Sequence, residues 1–235
     1  MSNVKFSQIG ESQNAYGIVD TRYQRRWFDA WGDVERAKID DIWRADEFTV
    51  TATGTSPITA SVLPDAVALV TSGSNDFDGD NIQLVGSRFK LAAGKPCYFG
   101  AELTINEATQ SDLVVGLFGV DTTLTAASSA HAMNVGAGGV GFSKIDAVTT
   151  CNFQTYATTT ATNTANVLTM DTSAHIYEFY YDGAKVHGYI DGVLKATFST
   201  GLPSVVLTPS INFRTGSAAA KTCTIHWMRA FQIRS

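Results

Sequence analysis

The sequence predicts an all-β protein, two antiparallel sheets packed face to face as a jelly-roll-like sandwich, with an N-terminal extended arm and one short helix. Three observations predict it. Residues 175–198, HIYEFYYDGAKVHGYIDGVLKATF, hold three aromatic and β-branched runs separated by Asp182-Gly183 and Asp191-Gly192. Asp-Gly supplies the positive φ angles of a tight hairpin turn, so this stretch reads as an antiparallel meander. From Phe48 onward, short apolar runs alternate with Gly, Pro, Ser and Asn clusters, the punctuation of a many-stranded sandwich. Residues 1–44 differ: they hold 7 basic and 7 acidic residues and three of the four tryptophans, Trp27, Trp31 and Trp43. The expected division is therefore an arm over 1–44 and a β-sandwich over 45–235.

Within the arm, residues 1–20 show no periodicity and read as extended chain. Residues 27–43, WFDAWGDVERAKIDDIW, contain no proline and space Trp31, Val34, Ile39, Ile42 and Trp43 helically, so a short helix with Asp33 as N-cap is expected. Tyr23, Arg25, Arg26, Trp27, Phe28 and Trp31 form the aromatic and arginine mixture enriched at protein interfaces, which makes them candidate partner contacts.

The strands follow in order. FTVTATG, ITASVLP, AVALVTSG and NIQLVG are short β-rich runs. CYFGAELTIN alternates Phe99, Ala101, Leu103 and Ile105 on one face, and DLVVGLFGV is apolar enough for a central strand covered on both sides. After a loop over 121–137 come GVGFSKID, NFQTYATT and NTANVLTMDT. Ten threonines lie between Val148 and Ser173, as suits a solvent-facing sheet surface. In the meander, Tyr177, Phe179 and Tyr181 share one face and Ile176, Glu178 and Tyr180 the other, then Val186, Gly188 and Ile190 form one set, and Leu194, Ala196 and Phe198 the next. SVVLTPSINF and TCTIHWMRAFQIRS close the chain, the latter as a long strand with Cys223, Ile225, Trp227, Arg229 and Phe231 in one parity. About a dozen or more strands result, enough for two packed sheets.

Composition bounds the function. The net charge of −5 gives no basic field for nucleic acid. No stretch of about 18 apolar residues and no signal-like apolar segment occur, so neither a membrane span nor secretion is expected. Cys97, Cys151 and Cys223 are an odd, dispersed set and read as buried free thiols.

Several groupings are candidates for chemistry. Asp76, Asp78 and Asp80 place three carboxylates at i, i+2 and i+4, a density of hard oxygen ligands that suits Ca²⁺, although the stretch lacks the glycine placement, bidentate Glu and flanking helices of an EF-hand; a solvated turn is the alternative. No other cofactor is indicated. Residues 136–141 fit G-x-G-x-x-G, but no strand–helix context accompanies them, so a glycine-rich strand with close neighbours is expected. His131, His175, His187 and His226 are isolated. Glu102 and Glu107 fall on opposite faces, with Glu107 beyond the strand end, no E-x-D-x-E run occurs and no G-x-S-x-G elbow is present, so no enzymatic activity is expected.

The run over 175–198 resembles the strand-turn-strand signature of concanavalin A-like lectin/glucanase and laminin-G-like sandwiches. A longer resemblance, through residues 90–124 and 201–235, is to a group of tailed-phage virion proteins of capsid cement (decoration) type. That resemblance implies a protein made in the host cytoplasm and carried on the virion's capsid surface. It also implies binding to the major capsid protein and to itself as a homotrimer, with Tyr23, Arg25, Arg26, Trp27, Phe28 and Trp31 anchoring the arm. The alternative implied by the lectin likeness is a carbohydrate-binding or host-attachment module of a phage particle, using exposed aromatics in loops.

Overall fold

The computed structural model describes residues 34–39, 47–60, 66, 68–86, 88–125, 138–158 and 160–233. Fifteen strands are described: β1 (Val34–Ile39), β2 (Phe48–Thr53), β3 (Ile58–Ala60), β4 (Ala68–Thr71), β5 (Gly79–Leu84), β6 (Cys97–Ile105), β7 (Ser111–Phe118), β8 (Gly139–Lys144), β9 (Thr150–Tyr156), β10 (Ala161–Thr169), β11 (His175–Tyr181), β12 (Val186–Ile190), β13 (Val193–Phe198), β14 (Thr208–Thr215) and β15 (Thr222–Ile233). They form two antiparallel sheets. One is seven-stranded, in the order β10-β9-β8-β7-β14-β5-β2; the other runs β13-β12-β11-β6-β15-β4-β3, with β1 on β15 as its eighth strand. The all-β sandwich expected from the sequence is therefore present, and no α-helix occurs among the described residues.

The expected helix over 33–43 is replaced, at 34–39, by β1. The cause is tertiary. β4 covers β15 only from Thr222 to Ile225, which leaves the backbone groups of the second half of β15 open, and β1 pairs there from Val34↔Ile233 to Ile39↔Met228. Satisfying a strand edge outweighs a helical propensity of a few tenths of a kcal/mol per residue.

Between the sheets lies one main core. Tyr177 and Phe179 of β11, Phe99 and Leu103 of β6, and Ile225 of β15 face Phe142 of β8, Phe153 of β9, Val115 of β7 and Phe213 of β14. Aromatic rings bridge the layers: Phe142, which meets its cross-strand neighbour Phe153 at 4.8 Å, meets Tyr177 of the other sheet edge-on at 5.6 Å, and Phe153 stacks on Phe198 at 5.6 Å and 6°. Each fully buried aromatic contributes about 1.5–3 kcal/mol of transfer free energy, and these pairs add roughly 0.5–1.5 kcal/mol. Gly188 makes the approach possible, since a Cβ there would sit 2.5 Å from the Phe153 ring.

Two turns and two bulges shape the meander and the last strand. The turn at Asp191-Gly192 has positive φ at both residues, 52° and 75°, as a two-residue hairpin requires. At Asp182 the loop is instead four residues long: Asp182 donates its N–H to Lys185 O, its Oδ1 accepts from the N–H groups of Ala184 and Lys185, and Gly183 packs on Gly94. A bulge then skips one residue of β13, pairing Gly188 with Ala196 but Tyr189 with Leu194. Leu194 is turned outward and stands 52% exposed, whereas Ala196 and Phe198 reach the core as expected. A second bulge interrupts β15 between Ile225 and Trp227. Cys223 and Ile225 therefore face the core, while Trp227, Arg229 and Phe231 fall on the opposite face, with Met228 and Ala230 inward in their place.

Candidate functional site

The bulge in β15 builds the most chemically varied surface on the eight-stranded sheet. A bulge puts two consecutive side chains on one face. Here His226 and Trp227 both point outward, next to the outward residues Glu102 and Thr104 of β6. The Trp227 indole donates to Glu102 Oε2 at 2.6 Å, and His226 Nε2 lies 2.8 Å from the Thr104 hydroxyl. The Arg229 guanidinium stacks over the indole, 4.9 Å from its ring centroid, and holds its plane. Glu102, Thr104, His226 and Trp227 are all partly exposed.

Further along the same face the surface becomes buried and aromatic. Tyr98 and Phe231 stack at 4.9 Å with Tyr180 packed against them, and the Tyr98 hydroxyl donates to Glu178 Oε1 at 2.7 Å. Register sets Ile176 opposite Glu102 and Glu178 opposite Gly100, so Glu102 and Glu178 are diagonal neighbours on one face of adjacent strands. Sequence reasoning placed each glutamate on its strand face but could not pair them, because cross-strand register is not written in either run. Glu107 lies beyond the end of β6, as expected, where the Thr109 N–H lowers its pKa.

The outward face of the seven-stranded sheet is polar and closed. Its residues Asn81, Gln83, Asp112, Ser210, Asn212 and Arg214 are buried. Four of them hold the segment 119–125: Asn81 Nδ2 donates to Asp121 O, Gln83 Nε2 to Gly119 O, Asp121 N–H to Gln83 Oε1, the Thr125 hydroxyl to Asn212 Oδ1, and Arg214 Nη1 to Thr125 O. On β7 the outward positions are Asp112, Val114, Gly116 and Phe118, a single carboxylate. Of the glycines of the G-x-G-x-x-G run, Gly138, Gly139 and Gly141 are described; Gly138 precedes β8 at φ 83°, and Gly139 and Gly141 lie in β8, where added Cβ atoms would meet the Phe118 ring at 2.2 and 2.8 Å. They are a strand with a close neighbour, as expected.

Asp76, Asp78 and Asp80 do not converge as one triplet. Asp76 is exposed on the turn, whereas Asp78 and Asp80 are buried. Among the described residues no three His, Cys, Asp or Glu side chains share a metal-binding position. The three cysteines are free and buried, and burial pushes Cys151 and Cys223 up to about 12. Tyr23, Arg25, Arg26, Trp27, Phe28 and Trp31 lie outside the described residues, as does His131.

No protein-family model matches the chain, and no curated protein matches its sequence. Solved structures do share its fold. An endo-1,3-β-glucanase from Streptomyces sioyaensis superposes with a TM-score of 0.58 at 8% identity, over 87% of this chain and 98% of that one. The Bacillus licheniformis β-glucanase gives 0.52 at 14% identity, over 85% and 92%. The metal-free carbohydrate recognition domain of Emp46p gives 0.53 at 7% identity, over 79% and 88%. At such identities the likeness establishes the concanavalin A-like sandwich and nothing finer. It corrects one expectation: glucanases are built on this architecture, so the exclusion of enzymatic activity drawn from missing motifs does not stand. Nothing in these similarities points to a virion component.

Proposed function

We propose that the chain is a carbohydrate-binding sandwich whose contact surface is the half-exposed patch around Trp227. The observation that carries this reading is the β15 bulge, which presents an indole, a carboxylate, an imidazole and a hydroxyl side by side on a rigid sheet. An indole face offers apolar area for the C–H face of a pyranose, and the neighbouring polar groups supply directional bonds to its hydroxyls. The glucanases and the carbohydrate recognition domain that share the fold support the ligand class. Isothermal titration with β-1,3-glucan and mixed-linkage β-1,3-1,4-glucan oligosaccharides tests it. Binding is expected, with Trp227→Ala weakening it at least tenfold, the order of magnitude of one lost stacking contact, ~1.4 kcal/mol. No heat with either glucan, or equal binding by the variant, sinks the reading. Retention on virus shells without any glucan binding replaces it by the shell-attachment alternative.

A second reading, hydrolysis of the bound glucan, has one observation in its favour. Glu102 and Glu178 sit diagonally on adjacent strands, with Cα atoms roughly 7–8 Å apart in such a register. Glycoside hydrolysis needs two carboxyl groups about 5–9.5 Å apart, a separation that side chains rooted at such Cα positions can reach. Release of reducing ends from the same glucans, lost in Glu102→Gln, is the expected signature; no release by the unmodified protein leaves binding alone.

A further inference from the structure

The end of the sandwich where β5 meets the 54–57 connection concentrates buried oxygen acceptors with too few protons to satisfy them. Asp80 extends from β5 on the same side as Ile82, toward the space between the sheets, and is 0% exposed. Its Oδ2 lies 2.6 Å from the Ser56 hydroxyl, while its Oδ1 has no hydrogen-bond partner. The same Ser56 hydroxyl lies 3.1 Å from Thr71 O. One hydroxyl proton thus faces a carboxylate and a carbonyl, and can serve only one of them. A buried carboxylate oxygen left unsatisfied costs more than a lost neutral hydrogen bond, so such a group calls for a proton or a cation.

A second buried carboxylate, Asp78, lies two residues earlier in the chain. Asp78 lies over Gly54 and Gly73, which have no side chains to block it. The point where a Cβ on Gly73 would sit is 2.0 Å from Asp78 Oδ2 and 2.5 Å from Thr55 O, and the equivalent point on Gly54 is 1.8 Å from Asp78 Oδ1. Thr55 directly precedes Ser56, so Asp78 lies beside Thr55 O while Asp80 and Thr71 O meet the hydroxyl of the next residue, a string of oxygens along one connection. Only Asn75 donates to Asp78 Oδ2 among the hydrogen bonds described, through its N–H at 3.1 Å and Nδ2 at 3.2 Å. Hard oxygen ligands of this kind, two carboxylates with carbonyls and a hydroxyl, are what Ca²⁺ takes, at 2.3–2.6 Å and six to eight in number with water.

We propose that Asp78 and Asp80, with the carbonyls of Thr55 and Thr71 and the Ser56 hydroxyl, bind one calcium ion that ties the β5 end of one sheet to the β4 end of the other. Asp76 takes no part, because it is exposed on the turn.

The test is calorimetric titration of chelator-stripped full-length protein with CaCl₂ alone, alongside thermal melts with CaCl₂ or EDTA. One equivalent of Ca²⁺ is expected to bind and to raise the melting temperature, with Mg²⁺ at least tenfold weaker because its small octahedral shell fits such a string poorly. Asp80→Asn and Asp78→Asn are each expected to weaken binding at least tenfold, while Asp76→Asn leaves it unchanged. Circular dichroism checks that each variant is folded, and the titration of the unmodified protein decides the matter should one of them not fold. Absence of heat and of any melting shift up to 10 mM, about ten times the weakest dissociation constant of extracellular calcium modules, overturns the proposal and assigns the missing partner of Asp80 to a proton. Loss of binding in Asp76→Asn equal to that in Asp80→Asn also overturns it, because the exposed turn would then be the site.

Discussion

Replacing Lys144 by methionine tests how the sandwich tolerates a buried charge. Lys144 ends β8 opposite Leu113 and is 1% exposed. Its Nζ donates to Thr109 O at 2.6 Å, to Ser111 O and to the Ser111 hydroxyl. Burial lowers its pKa from 10.5 to about 8, against the opposing pull of Asp112, Asp146 and Glu107. Because the folded value is the lower one, the unfolded chain binds more protons between about pH 8 and 10.5, and this lysine's contribution to stability becomes more favourable as pH rises through that window. At about 1.36 kcal/mol per pKa unit the whole shift corresponds to ~3 kcal/mol, of which about 2 kcal/mol accrues between pH 7 and 9.5. The buried thiols act in the opposite sense: their folded pKa values are raised, so their contribution is full below about pH 9 and is lost above it. The assay is therefore a difference, urea unfolding of the unmodified protein minus that of Lys144→Met at matched pH, in which the thiols cancel. The variant also leaves two carbonyls without their ammonium donor, a pH-independent cost of about 1–3 kcal/mol. The difference should shift in favour of the unmodified protein by about 2 kcal/mol from pH 7 to 9.5. A difference constant within about 0.5 kcal/mol would mean that the folded lysine titrates like an exposed one, and the reasoning from burial would be wrong.

Three further predictions rest on packing and on the polar strap. Gly188→Ala pushes a methyl group into the Phe153 ring, 2.5 Å away, and should cost about 1–3 kcal/mol, with part of the loss recovered in the double variant with Phe153→Leu; a neutral Gly188→Ala would show that the sheets approach differently. Gln83→Ala removes its bonds to Gly119 O, Ser210 Oγ and the Asp121 N–H, so it should destabilise by about 1–3 kcal/mol and speed hydrogen exchange at Asp121, and unchanged exchange there would contradict the strap. Leu194→Lys should leave denaturant stability within about 0.5 kcal/mol, because the β13 bulge turns the side chain to solvent; a loss of several kcal/mol would restore the simple alternation.

Much of the fold was legible from local pattern. The alternation of Phe99, Ala101, Leu103 and Ile105, the apolar run from Leu113 to Phe118 and the inward set Tyr177, Phe179 and Tyr181 all lie where period-two reasoning puts them, because side-chain parity is a local property of a strand. The failures share one cause. A bulge resets parity at a single residue, and neither bulged strand has a glycine or proline of its own at the shift; Gly188, at the first, belongs to the partner strand β12. Trp227 was thus assigned to the same face as Ile225, when its separation from that face is what creates the candidate site. The strand at 34–39 was unreadable for a related reason, since its partner edge on β15 exists only once β4 proves too short to cover it. Sites assembled across strands depend on register, and only the structure supplies it.

The two outward faces differ in what saturates their polar groups, and this decides which of them offers a contact surface. On the seven-stranded sheet, Asn81, Gln83, Asn212 and Arg214 direct their hydrogen-bonding atoms at residues 119–125, through five bonds. At a net value of about 1 kcal/mol each, displacing that strap would cost a ligand roughly 5 kcal/mol, equivalent to more than a thousandfold in affinity. A glycan would have to reproduce every one of those bonds merely to break even. On the eight-stranded sheet, the Glu102 bond to the indole engages Oε2 alone, and Thr104, His226 and Trp227 remain partly exposed. Binding there meets no strap of comparable size, so even the modest stacking of one sugar on the exposed part of Trp227 adds to affinity. The bulge that obscures the strand in the sequence is thus also the reason the glycan test is aimed at Trp227 and not at the polar face behind the strap.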